Sequence, residues 1–221
     1  MKEFILVLKK STLFSGIESE ELLGLMGCLG AKAVSYKKNQ PVFLEGDPAT
    51  KLGIVLSGSV QISREDLHGN RSILGRAEPS EVFAESYAFA GASTLPVNVV
   101  AQEDSRLLLI DSCRITQSCS NACGFHQKLI RNLLQIVSEK NLRFHQKLEI
   151  TGKRTTREKL LAYLYEQEKL HRSRSFTIPF DRQALADYLG VERSAMSAEL
   201  SKLRKDGIID FDRSLFTMLQ T

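Results

Sequence analysis

No window of the 221 residues approaches 18 consecutive apolar side chains. The first ten, Met1 to Lys10, mix charged and apolar groups and offer neither the longer hydrophobic region of a signal peptide nor a small-residue cleavage site. A membrane span and a secretory signal are therefore unexpected, and a cytoplasmic location is expected. Cysteine is scarce, four in all, which without a leader argues for reduced thiols rather than a disulfide framework. Five prolines and 14 glycines are too few for a collagen-like or low-complexity chain, and 43% hydrophobic with 25% charged residues is ordinary for a folded one. Signatures of catalysis are missing as well. There is no Gly-x-Ser-x-Gly, no P-loop and no His-Glu-x-x-His, and the four histidines lie scattered at His68, His126, His145 and His171. An enzyme is not expected, and no cofactor is called for.

The length suits one large domain or two unequal ones, and the charge favours the second. Residues 1–112 carry 11 Lys and Arg against 14 Asp and Glu, while residues 113–221 carry 19 against 12, a balance of −3 followed by +7. An acidic front half on a basic back half fits a nucleic-acid-binding module joined to something that is not one, although a chance imbalance on a solvated surface gives the same count.

The hydrophobic period divides the chain further. An amphipathic segment at Glu18 to Leu29, with Leu22, Leu23, Leu25 and Met26, precedes a region from Ala31 to Asp111 of short apolar or alternating runs. These include Pro41-Val42-Phe43-Leu44, Gly53-Ile54-Val55-Leu56, Ser59 to Ser63 and Arg106 to Ile110, separated by turn signals such as Gly46-Asp47-Pro48 and His68-Gly69-Asn70. Such spacing predicts an antiparallel, jelly-roll-like β-roll. From about Ser120 to Ile150 there is no proline, and Phe125, Leu129, Leu133, Ile136, Val137, Phe144 and Leu148 recur in steps that predict one long amphipathic helix. Its stripe is most simply buried against a second copy, which makes Phe125, Leu129, Leu133, Ile136, Val137 and Phe144 the candidate homodimer interface; packing within its own chain is the alternative.

A further helix at Thr155 to Glu168 and a short strand at Phe176 to Phe180 lead into Asp181 to Leu200, which reads as helix, glycine turn, helix. Asp181 is a candidate N-cap, Ala184, Leu185 and Leu189 face inward, Gly190 permits the tight turn, Val191 plugs the gap, and Met196, Leu200 and Leu203 bury the second helix. This is helix-turn-helix spacing, and the two runs Gly207 to Phe211 and Ser214 to Leu219 add a hairpin wing. Double-stranded DNA is the expected partner. Arg193, Ser194 and Ser197 lie on the front of the reading helix, where an arginine fork suits guanine. Lys202, Arg204, Lys205, Arg182 and Gln183 are placed for phosphate. The architecture expected is thus α+β: a sensor roll at 1–117, a long dimerisation helix at 118–150 and a winged helix-turn-helix at 151–221.

These features together resemble the Crp/Fnr family of bacterial transcription regulators over nearly the whole chain. Gly46-Asp47 with Leu52 to Val60 resembles the family's cyclic-nucleotide-binding roll, the long helix sits where its dimer helix sits, and Gln183 to Ile209 matches its DNA-binding unit. The resemblance implies a homodimer on a palindromic operator, RNA polymerase as a further partner, and a small-molecule effector of unknown identity in a pocket lined by Phe83, Glu85, Ser86, Tyr87, Leu95 and Val97. Cyclic AMP is not the expected effector. Where nucleotide-binding members carry Gly-Glu followed later by Arg-Ser, this chain has Phe83-Ala84-Glu85-Ser86 and then Leu95-Pro96. A cyclic phosphate would be buried without a cation and beside an unpaired carboxylate. A second departure is Ala198, where members commonly have arginine, and it removes the ground for carrying over the family's usual half-site.

Cys113, Cys119 and Cys123 cluster before the long helix, with His126 three residues on. Fnr-type members hold an iron–sulfur cluster through an N-terminal cysteine group that is missing here. Small buried hydrophobes, redox-active thiols and a metal or cluster site all remain open for this group. Two alternatives to an effector-responsive regulator follow: a constitutive DNA binder with a ligand-free roll, and a redox- or metal-sensing regulator.

Overall fold

The computed structural model describes residues 2–66, 68, 69, 71–116 and 125–219. It divides into two compact units, 1–70 with 74–141 and 71–73 with 142–221. The division runs through the long helix, where the sequence suggests a separate segment at 118–150.

The first unit opens with α1 (Ile5–Lys10) and α2 (Ser19–Cys28). Then come β1 (Lys32–Tyr36), β2 (Pro41–Phe43), β3 (Lys51–Ser57), β4 (Val60–Glu65), β5 (Arg71–Ala77), β6 (Val82–Phe83), α3 (Glu85–Phe89), β7 (Asn98–Ala101), β8 (Ser105–Asp111) and α4 (Cys113–Thr116). The strands form two four-stranded sheets, ordered β1-β8-β3-β6 and β2-β7-β4-β5. Strand β3 shows why the roll holds together. Its side chains alternate across the sheet, so that Leu52, Ile54 and Leu56 join a cluster with Leu8, Phe14, Leu22 and Leu25 of the N-terminal segments. Val55 points the other way, into a roll interior shared with Val60, Phe83, Val99 and Leu107. Both faces of β3 are covered, which explains its near-continuous apolar run.

Helix α5 (Phe125–Thr151) is the predicted long helix, but its stripe is not what the sequence suggests. Leu129, Leu133 and Ile136 are 0%, 7% and 6% exposed and belong to the same cluster as the N-terminal helices and one face of the roll. Phe125 packs half-buried against that cluster. Leu129, Leu133 and Ile136 are therefore core of their own chain, not a surface offered to a second copy, and Phe125 is partly taken up by the same core. Polar groups reinforce the attachment: Asn132 Nδ2 donates to the carbonyls of Leu13 and Ser15, and Lys128 Nζ to that of Gly16. The physical reason for the misreading is that α5 carries two apolar stripes. The second stripe, with Ile130, Leu134, Phe144 and Leu148 exposed by 45% or more and Val137 half-buried, is left uncovered among the described residues.

The second unit contains α6 (Thr156–His171), β9 (Ser175–Thr177), α7 (Arg182–Leu189), α8 (Arg193–Lys205), β10 (Ile209–Asp212) and β11 (Leu215–Met218). A reciprocal cap starts α6: the Thr155 hydroxyl accepts from the Glu158 amide at 3.2 Å, and Glu158 Oε2 accepts from the Thr155 amide at 3.0 Å. The three strands form an antiparallel sheet ordered β10-β11-β9. Its core gathers Leu160 and Leu164 of α6, Leu185 and Leu189 of α7, Met196, Leu200 and Leu203 of α8, and Phe176, Ile209 and Phe216 of the sheet. The α+β class, the antiparallel roll and the C-terminal helix-turn-helix are all present as the sequence indicates.

Candidate nucleic-acid interface and roll interior

The pair α7–α8 is built by local rules. Asp181 caps α7 by accepting from the Ala184 amide at 2.8 Å. Gly190 ends it at φ +61°, a left-handed conformation that glycine adopts without steric cost. Glu192 then caps α8, accepting from the Ala195 amide at 2.9 Å and from the Ser194 hydroxyl. Those two hydrogen bonds, the hydroxyl's first, hold the Glu192 carboxyl below the usual range. With Met196, Leu200 and Leu203 turned into the core, the rest of α8 faces outward.

The predicted contact residues have different fates on that outward face. Arg193 and Lys205 are exposed, and among the described residues neither side chain has a hydrogen-bond or ion-pair partner. Both cations are available to an incoming anion. Lys202 pairs with Glu199 at 3.5 Å. Arg204 pairs with Asp210 at 2.8 Å and lies 5.2 Å from the Phe211 ring. Arg182 is stacked 4.7 Å over Phe211 and 5.1 Å over Phe216, and burial pulls its guanidinium pKa down. It braces the wing against the start of α7. Gln183 spends its amide on Asp187 at 2.8 Å. Ser194 donates to Glu192 and Ser197 to the Arg193 carbonyl, so both hydroxyls present only acceptor lone pairs outward. The front of α8 therefore combines an arginine donor fork with two hydroxyl acceptors.

One cation escaped the sequence reading. Asp212 pairs with Leu215 across the wing, which leaves Arg213 exposed at the hairpin tip at φ +50°. The two-residue gap between the wing strands was the available signal.

The roll interior differs from the expected pocket. Phe83, Leu95 and Val97 are each 1% exposed and serve as packing. The Phe83 ring crosses β3 at Gly53, where an added Cβ would lie 2.0 Å from the ring. Ala84 holds φ +63°, in the place where the resemblance sets glycine. Glu85 is 2% exposed, yet the expectation of an unpaired carboxylate is corrected. Lys140 of α5 donates to Glu85 Oε2 at 2.9 Å and to the Val82 carbonyl at 2.6 Å, while Ser86 Oγ reaches Glu85 Oε1 at 3.2 Å. A buried carboxylate needs such a partner. Tyr87 is half-buried, and burial, with Glu85's charge second, raises its hydroxyl pKa.

Of the thiol group, Cys113 is exposed, and Cys119 and Cys123 lie outside the described residues. The His126 ring donates to the Arg114 carbonyl at 3.2 Å. Among the described residues no three His, Cys, Asp or Glu side chains come together as a metal site, and no helix is long and apolar enough to cross a membrane.

The family model of the cyclic nucleotide-binding domain matches residues 33–121, and that of the Crp-like helix-turn-helix domain matches residues 158–220. The chain is 26% identical over 184 residues to the transcriptional activator protein FnrL of Cereibacter sphaeroides, covering 79% of this chain and 71% of that protein. It is 26% identical over 191 residues to the nitrogen fixation regulation protein FixK of Rhizobium meliloti, covering 86% and 83%. Among solved structures, FixK2 of Bradyrhizobium japonicum matches with a TM-score of 0.66 at 22% identity, over 86% of this chain and 93% of that one. The c-di-GMP responsive global regulator CLP of Xanthomonas campestris matches with a TM-score of 0.74 at 22% identity, over 90% and 100%. A nucleotide-binding-type roll followed by a Crp-like reading unit, in the order shared with these relatives, places the chain in the Crp/Fnr family of DNA-binding transcription regulators.

Proposed function

We propose that the chain acts as a homodimer on a two-fold DNA site, reading each half with the front of α8 and joined to its copy through the uncovered stripe of α5. The observation that carries this reading is the division of α8 into a buried apolar face and an outward face on which Arg193 stands without a partner. Arg193 takes the role of base reader, and Lys205 and Arg213 that of phosphate contacts. The test is a selection from random duplexes followed by titration. Arg193→Ala should lose about 1–3 kcal/mol at the selected site and little on unrelated DNA, because a base contact carries sequence and a phosphate contact does not. Lys205→Ala should weaken all sequences alike. Equal losses on specific and unrelated DNA in Arg193→Ala would mean that α8 docks differently.

The roll is the sensor or scaffold half of this regulator, and its effector is not cyclic AMP. Glu85 and Lys140 already neutralise one another, so Lys140 is not free to meet a cyclic phosphate, and drawing it away would strand a buried carboxylate. Cyclic AMP at millimolar concentration should therefore leave both the melting temperature and the DNA affinity unchanged. A ligand with micromolar affinity would add about 4 kcal/mol at a thousandfold excess, so a clear thermal shift would refute this. The tight seat of Phe83 on Gly53 also favours a second reading, a constitutive binder whose roll holds no ligand. Titrating the selected DNA with and without the small-molecule fraction of a cell extract separates the two.

A further inference from the structure

The uncovered stripe of α5 has a regularity that ordinary surface lacks. Ile130, Leu134, Val137, Asn141, Phe144 and Leu148 follow one another in steps of four, three, four, three and four, a period of 3.5 residues held over about 27 Å of helix. The chain's own body takes a different line along the same helix, through Leu129, Leu133, Ile136, Lys140 and Ile150. A seam of period 3.5 is what a second helix of the same repeat covers in a coiled coil. Five of its six positions are apolar. The sixth, Asn141, sits near the middle, is exposed, and among the described residues its amide has no partner.

In heptad terms Leu134, Asn141 and Leu148 share one position, and Ile130, Val137 and Phe144 the other. In a parallel, in-register pair, residues of the first set meet their own copies. Asn141 then lies beside a second Asn141, and the two amides can donate to and accept from each other. A shift by one heptad sets Asn141 against Leu134 or Leu148. An antiparallel pairing sets it against Val137 or Phe144. Each of these buries an amide with nothing to bond, which is costly. Larger bundles would also enclose polar groups that a two-stranded seam leaves at its edge.

We infer that Asn141 is the positioning residue that holds two copies of α5 parallel, in register and no more than two. The inference rests on the dimer reading proposed above, and it has a direct bearing on DNA. An in-register pair relates the two copies by one two-fold axis, and a symmetric pair of reading units favours one spacing between half-sites.

The test compares full-length wild type with Asn141→Leu by sedimentation and by selection from duplexes whose two half-sites are separated by varied spacers. The substitution is at an exposed position, so the fold is retained, and circular dichroism checks this. Wild type should sediment as a dimer and select one spacing. Asn141→Leu should associate more tightly, populate species larger than a dimer, and lose the preference among spacings. Asn141→Gln, which keeps a carboxamide, should remain closer to wild type. If Asn141→Leu is a pure dimer with the same single spacing, the role given to Asn141 is wrong while the α5 dimer stands. A wild type that is monomeric, or whose dimer survives Leu134→Glu, would overturn both.

Discussion

Leu134→Glu should sediment as a folded monomer, and its affinity for a two-fold DNA site should fall by two to four orders of magnitude. Leu134 is 67% exposed in the chain, so a carboxylate there displaces no intrachain packing. In the proposed dimer the same residue would occur twice across the axis, and each large aliphatic side chain removed from water contributes about 1.5–3 kcal/mol. The substitution forfeits both contributions and brings two like charges together. Once the copies separate, the second half-site is no longer held at high effective concentration, a linkage that adds about 10²–10⁴ to affinity. The reading helix itself is untouched, so binding to unrelated DNA by a single unit should persist. The neighbouring Leu133→Glu is an instructive contrast. Leu133 is 7% exposed within its own core, and a charge there should prevent folding rather than dissociate a dimer. Sedimentation and far-ultraviolet circular dichroism separate the two outcomes. A Leu134→Glu protein still at twice the chain mass would show that the copies meet elsewhere.

Lys140→Met should destabilise the chain by about 3 kcal/mol, because removing one partner of a buried pair leaves the other uncompensated. The carboxylate left behind, on Glu85, is 2% exposed, and among the described residues its remaining partner is the Ser86 hydroxyl. The loss should appear as a lower denaturant midpoint with an unchanged slope, since the surface exposed on unfolding stays the same. Adding Glu85→Gln to Lys140→Met should restore part of the stability, as a carboxamide carries no charge to strand. The double variant thus isolates the pair from the methylene packing that Met retains. A single variant as stable as wild type would mean that Glu85 finds another counter-charge or water, and that Lys140 is available to a cyclic phosphate.

The reading unit was legible because its determinants are close in sequence. Asp181 lies three residues from the amide it caps, Gly190 sits between the two helices it joins, and Met196, Leu200 and Leu203 repeat within one helix. The strands of the roll were legible for a similar reason, since turn signals bracket each apolar run. The stripe of α5 was not. Steps of three and four describe both of its lines equally well, and only packing tells Leu133 from Leu134. Lys140 and Glu85 are 55 residues apart, so no local pattern joins them. Arg182 looked like a phosphate ligand because Phe211 and Phe216, which cover it, come far later in the chain. Helix α1, six residues long, is shorter than two turns and has no period to read.

Lys140 and Asn141 are consecutive residues, and consecutive residues on an α-helix point about 100° apart. One grips the buried carboxylate of the roll, the other stands in the exposed seam. Their directions are locked together by the backbone hydrogen bonds of α5, so the two cannot be adjusted separately. Rotation of the helix about its own axis is a single coordinate seen from both sides: turning it far enough to free Glu85 carries Asn141 out of the seam by the same angle. In the homodimer proposed above, a rotation of α5 begun at the Glu85–Lys140 pair would therefore reach the contact between the two copies through the helix itself.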